Sequence, residues 1–161
     1  MKGNGEILEF EVKPHITLVQ DLEFPEEKVT DFIEKIKKVL LDQRKFMLNP
    51  IGIGDYDQDF TIYIEFQQNS SIDNLFNKLL SISQNFLSEE RAERYRQKVF
   101  IPHATILYDD IDPEKIKKAE MQLDKTIFSH SIEVSEIELW ALTPKEQKII
   151  KSFSLLGKSI E

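Results

Sequence analysis

A chain of 161 residues, 40% hydrophobic and 31% charged, suits one domain or two intimately packed lobes and is too apolar for intrinsic disorder. It contains no cysteine, which excludes disulfides, thiolate zinc sites and cysteine nucleophiles. Its formal net charge of −8, from 21 basic and 29 acidic residues, opposes non-specific binding to long nucleic acid, although a small local cationic site remains compatible with it.

Residues 6–12 (EILEFEV) alternate in polarity and predict a strand. After Pro14, residues 15–19 (HITLV) predict a second short strand rich in β-branched side chains. Pro25 opens a helix running to about residue 41. Glu26 and Glu27 suit its positive end, and Val29, Phe32, Ile33, Ile36, Val39 and Leu40 form its apolar stripe. Residues 46–53 and 60–66 predict a strand pair joined by the acidic turn GDYDQD. A second helix spans 70–86, with Leu75, Phe76, Leu79, Leu80 and Ile82 on one face and Ser71 or Asp73 as its cap.

Residues 103–108 (HATILY) predict another strand. Asp112 and Pro113 then cap and open a third helix through about residue 123. Final strands at 131–142 and 148–155 flank a turn carrying Pro144. The order predicts an α+β fold with antiparallel hairpins and helices on the outer faces. Two similar halves emerge, each with a Pro-His-x-Thr strand followed by a proline-initiated helix. No apolar run reaches the length of a membrane span, and MKGNGEILEFE has no apolar signal core, so a cytoplasmic protein is expected.

Of three histidines, two share one setting: Pro14-His15-Ile16-Thr17-Leu18 and Pro102-His103-Ala104-Thr105-Ile106. Strand alternation puts His15 with Thr17, and His103 with Thr105, on one face, with Ile16, Leu18, Ala104 and Ile106 facing the core. Cleaving a cyclic phosphate or a ribose phosphodiester needs one proton removed from the nucleophile and one delivered to the leaving oxygen. Two imidazoles do both near neutral pH, and two hydroxyls can bind the non-bridging oxygens. Which histidine is acid and which is base stays open. Two histidines without a carboxylate or cysteine at ligand spacing make a poor metal set, so neither a metal nor another cofactor is expected. His130 lacks a hydroxyl two residues on and reads as structural.

Two kinds of substrate contact are candidates around these motifs. Arg94, Arg96 and Lys98, with Arg91, form the densest basic run, directed toward His103, and read either as a phosphate-gathering patch or as a solvated helix face. Among the aromatic residues, Tyr56, Phe60, Phe100 and Tyr108 are candidates for stacking on a base, with core packing favoured for Tyr108 and for Trp140.

The paired His-x-Thr-hydrophobic segments resemble the two-histidine phosphoesterase superfamily, which includes 2′-5′ RNA ligase-like proteins and cyclic phosphodiesterases. The stretch PHATILYDDIDPEKIKKAE, with the later EVSEIELWAL, is especially similar to the second half of the cyclic phosphodiesterase group, and the resemblance spans about residues 8–156. It implies a single domain over 1–161 made of two pseudo-symmetric lobes, with antiparallel sheets lining a central cleft. It implies His15 and His103 as catalytic residues, Thr17 and Thr105 as phosphate ligands, and a small nucleotide or RNA terminus as substrate. A nucleotide- or RNA-binding module on the same fold, without turnover, is the alternative. Such proteins usually carry a strand and a helix before the first motif, and only fourteen residues precede His15 here. An oligomer is expected if another chain completes that lobe.

Overall fold

The computed structural model describes residues 15–56, 61–108, 128–142 and 147–160. The expected strand at 6–12, helix at 112–123 and Pro144 turn lie outside them. Within them the architecture is α+β, with three helices and three small sheets. Among the described residues no helix is long and apolar enough to cross a membrane.

Pro25 does start helical structure, but the first turn (Glu26–Lys28) is 3₁₀ and the α-helix proper, α1, covers Val29–Leu40. Phe32, Ile36 and Leu40 recur every fourth residue and are buried. Helix α2 (Ser70–Ser83) buries Ile72, Leu75, Phe76 and Leu79, and a 3₁₀ turn carries it on to Phe86. Its cap is Asn69 rather than Ser71 or Asp73. The extended backbone of Asn69 lets its side chain accept from the Ser71 and Ile72 N–H groups at 3.0 and 3.1 Å. The two helices meet over one core that also holds Phe46, Leu48, Phe66, Phe153 and Leu155. Each such side chain contributes roughly 1.5–3 kcal/mol on burial.

The strand expected at 46–53 is broken. Strand β1 (Arg44–Leu48) and β2 (Pro50–Tyr56) belong to different sheets, and the chain crosses between them at Asn49. Pro50 holds the residue before it out of helical conformation and offers no ladder donor. The Asn49 carbonyl accepts from Gln67 N–H at 2.8 Å, and its side-chain oxygen from the Ser131 hydroxyl at 2.6 Å. Strands β2, β3 (Thr61–Phe66) and β4 (His103–Tyr108) form an antiparallel sheet in that order.

The expected strand at 131–142 is split likewise, at Ser135, into β5 (Ile132–Val134) and β6 (Glu136–Leu142). Among the described residues strand β6 pairs only with β7 (Gln147–Ser154). Strand β5 flanks β1 antiparallel, and β8 (Leu156–Ile160) flanks it parallel, the one departure from antiparallel pairing among the described strands. Strand β8 has no counterpart among the expected elements. Its Gly157 sits at φ +66°, and the register against β1 slips there, as a bulge requires. Helix α3 (Glu89–Gln97) corresponds to the helix-face reading of the basic run from Arg91 to Lys98, although no bounds follow from that run. Its nonpolar-bodied residues are only Ala92 and Tyr95, both half-buried, so no apolar period marks it. Ser88 caps it, accepting from Arg91 N–H at 3.3 Å.

Candidate active site

Pro102 is fully buried and its carbonyl accepts from the Phe66 N–H at 2.9 Å, which fixes where β4 begins. His103 is then the first residue of a ladder strand, opposite Glu65, with Thr105 opposite Tyr63. Ala104 packs against the core behind them. Ile106 does not. The register slips between Ile62 and Tyr63, which pair with Leu107 and Thr105, so Ile106 is the extra residue of a bulge and is 44% exposed.

The first motif is not the regular strand that its β-branched residues predict. One antiparallel bridge, Ile16 with Ala104, joins it to β4, and the chain bends at Leu18 and Val19. The cause lies further along. Asp21 takes a positive φ of 57° and pairs with Arg91 of α3, while the Tyr95 hydroxyl accepts from Gln20 N–H at 2.9 Å. Leu22 then bridges Leu87, and Glu23 N–H reaches the Phe86 carbonyl at 2.8 Å. The segment is drawn off the sheet toward the end of α2.

That single bridge sets the register of the motifs. With Ile16 opposite Ala104, Thr17 lies toward His103 and His15 toward Thr105. Ile16 and Ala104 pack on the core, so these four side chains leave by the other face. In an antiparallel ladder opposed side chains start about 4.5–5.5 Å apart and diagonal ones, as His15 and His103 are, about 7–8 Å apart. His15 and Thr105 are exposed; Thr17 and His103 are half-buried.

Each imidazole has an aromatic neighbour that sequence patterning does not assign to it. The ring of Tyr63 stands edge-on to His103, with centroids 5.0 Å apart at 61°. Trp140, expected in the core, is half-buried beside His15, with centroids 5.0 Å apart at 37°. Alternation in β3 does put Tyr63 and Glu65 opposite Ile62 and Ile64, but nothing local announces that β4 lies alongside. The Nδ1 of His103 is 2.8 Å from the Ile101 carbonyl, which can only accept. Nδ1 therefore carries a proton.

The remaining candidates divide. Phe100 is half-buried. Its ring stacks on Phe76, centroids 4.3 Å apart at 9°, and packs against the core. Tyr56 ends β2, where its backbone pairs with Thr61; its side chain, like that of Tyr108 and the whole of Phe60, lies outside the described residues. Arg94 and Arg96 engage acids of their own helix, Glu90 at 4.0 Å and Glu93 at 2.6 Å, and Lys98 is exposed at the helix end. Hydrogen bonds from Arg96 and then Gln97 hold the Glu93 carboxyl below its usual range, while burial pushes the Tyr95 phenol up. His130 is exposed, with Nδ1 3.1 Å from the Ser129 hydroxyl, just before β5. Among the described residues no three His, Cys, Asp or Glu side chains gather as metal ligands.

Comparison with known proteins gives a family and a fold. The family model described as the 2′-5′ RNA ligase superfamily matches residues 8–146. No curated protein matches. Among solved structures, Escherichia coli LigT complexed with 3′-AMP superposes with a TM-score of 0.64 at 18% identity, over 90% of this chain and 78% of that one. The Thermus thermophilus protein TT0787 gives a TM-score of 0.65 at 20% identity, over 88% and 78%. A structure described as a phosphoesterase gives 0.62 at 18%, over 90% and 78%.

Proposed function

Because the chain belongs to the 2′-5′ RNA ligase superfamily, we propose that it is a metal-independent phosphodiesterase using His15 and His103 as its acid–base pair. The substrates proposed are cyclic phosphates or 2′,5′-linked diesters at RNA termini or on small nucleotides, met in the cytoplasm. The working unit is the single domain, read as two lobes that each contribute one motif. The observation that carries this reading is the Ile16–Ala104 bridge, whose register turns both His-x-Thr pairs to one face.

On a nucleoside 2′,3′-cyclic phosphate, one neutral imidazole takes a proton from water as the water oxygen bonds to phosphorus. The other, protonated, delivers its proton to the ribose oxygen as that P–O bond breaks. The products are a phosphomonoester and a ribose hydroxyl, and the pair ends with its protons exchanged. Thr17 and Thr105 donate hydrogen bonds to the non-bridging oxygens as charge builds there. For His103 the exchanging nitrogen is Nε2, since Nδ1 is committed to the Ile101 carbonyl. That LigT was crystallised with 3′-AMP supports a nucleotide as the ligand class.

The test is turnover by the purified protein of nucleoside 2′,3′-cyclic phosphates, 2′,5′-linked dinucleotides and ADP-ribose cyclic phosphate, each with and without EDTA. Turnover of at least one, undiminished by EDTA, is expected. Binding without turnover of any would replace the enzyme by a nucleotide-binding module. Activity lost to EDTA and restored by a divalent ion would replace the mechanism.

A further inference from the structure

We propose that Trp140 is a positioning residue for His15, a role that rests on reading His15 as one of the acid–base pair. His15 is exposed and, among the described residues, its segment meets the β4 edge through the Ile16–Ala104 bridge. The indole lies against the imidazole, 5.0 Å between centroids. The indole is itself held: its Nε1–H donates to Glu138 Oε2 at 2.8 Å, two residues back on the same face of β6. The other oxygen of Glu138 accepts from the Ser152 hydroxyl at 3.5 Å, across the ladder where Glu138 and Ser152 pair. Behind them Ile137 and Leu139 pack on the core. The indole thus projects from a strand whose back is anchored.

The parallel with the other motif strengthens the assignment. Tyr63, against His103, comes directly after the register slip in the β3–β4 ladder. Trp140, against His15, comes directly after the slip in the β6–β7 ladder, where Leu139 pairs with Lys151 but Trp140 with Ile149. A bulge re-aims the side chain beside it. In both places the extra residue lies on the partner strand, Ile106 in β4 and Ile150 in β7, and the aromatic ring paired beside it meets a motif imidazole. Sheet β6–β7 thereby does for His15 what sheet β2–β3–β4 does for His103.

Three variants test the role: Trp140→Leu removes the ring, Trp140→Phe keeps a ring without the N–H, and Glu138→Leu releases the indole. The χ1 rotamer of His15, read from three-bond NMR couplings, is expected to be single in the wild type and averaged in Trp140→Leu. On a substrate the wild type turns over, Trp140→Leu should lower kcat by about ten- to a hundredfold, the scale of a small misplacement, with KM within about twofold. Trp140→Phe should recover most of that loss, and Glu138→Leu should fall between. A His15 rotamer as fixed in Trp140→Leu as in the wild type overturns the role. So does a loss confined to KM, which would make the indole a substrate platform. If the wild type turns over nothing, the function proposed above fails, while the rotamer measurement still decides the role of Trp140.

Discussion

Gly54 and Tyr63 pair across β2 and β3, and the tyrosine ring lies where a side chain at position 54 would begin. A Cβ built on Gly54 meets the ring carbons and hydroxyl of Tyr63 well inside van der Waals contact. The absence of a side chain at 54 therefore lets the ring lie where its edge meets His103.

Gly54→Ala should accordingly act at a distance. Overpacking of this kind costs about 1–3 kcal/mol, and urea unfolding should show it. Turnover should fall further than the stability loss explains, because the Tyr63 ring is pushed toward His103. Pairing the change with Tyr63→Leu should recover part of the stability, a coupling a double-mutant cycle measures.

His15→Ala and His103→Ala should each lower kcat about 10²–10⁴-fold, and the double variant should be little worse than either, since the pair acts as a unit. Thr17→Val and Thr105→Val keep the β-branched shape and remove a donor, so each should cost about 2–4 kcal/mol of transition-state stabilisation. Steady-state kinetics on a 2′,3′-cyclic phosphate checks all of them. Full activity without either imidazole would end the paired mechanism.

For the basic run, the ion pairs along α3 decide the expectation. Arg94→Glu and Arg96→Glu should leave KM within about twofold at about 0.1 M salt, because exposed charges engaged by neighbouring carboxylates are screened and contribute little. A KM rising with charge reversal, and more steeply at low salt, would restore the phosphate-gathering reading of this helix.

Tyr95 gives a pH-dependent expectation. Burial raises its phenol pKa above 10.0, so from about pH 10 upward the folded state holds a proton that the unfolded state has released. Stability should fall as pH rises through that window, and less steeply in Tyr95→Phe. The same variant should lose about 0.5–1.5 kcal/mol at neutral pH, with the Gln20 N–H deprived of its acceptor. Chemical unfolding at about pH 7 and about pH 10.5 distinguishes the two effects.

What could be read from the sequence was what is written locally. The stripes of α1 and α2 follow from a spacing of three and four, and strand alternation put His103 with Thr105 against Ala104. Long-range register was not legible. Periodicity runs on unchanged through Asn49 and Ser135, where the chain leaves one sheet for another, and only Pro50 hinted at a break. It also cannot see that Ile106 is itself the inserted residue of a bulge and turns outward. The bounds and docking of helix α3 escaped because its fixing contacts, Arg91 with Asp21 and Tyr95 with Gln20, reach far back along the chain. Tyr63 and Trp140 escaped for the same reason: each meets its histidine only through pairing between distant strands.

Strand β1 has consequences for how the molecule assembles. It is made early, yet both of its ladder partners, residues 132–134 and 156–160, come from the last fifth of the sequence. The β2–β3 hairpin and the two helices need only near neighbours and can form while synthesis continues. Phe46 and Leu48 must wait, on a strand with two unsatisfied edges, until both partners have been made. Loop closure over such spans is slow, and an unpaired apolar strand is a template for association with other chains. The folding of this protein should therefore be limited by closure of its β5–β1–β8 sheet, with aggregation competing most strongly just before that closure.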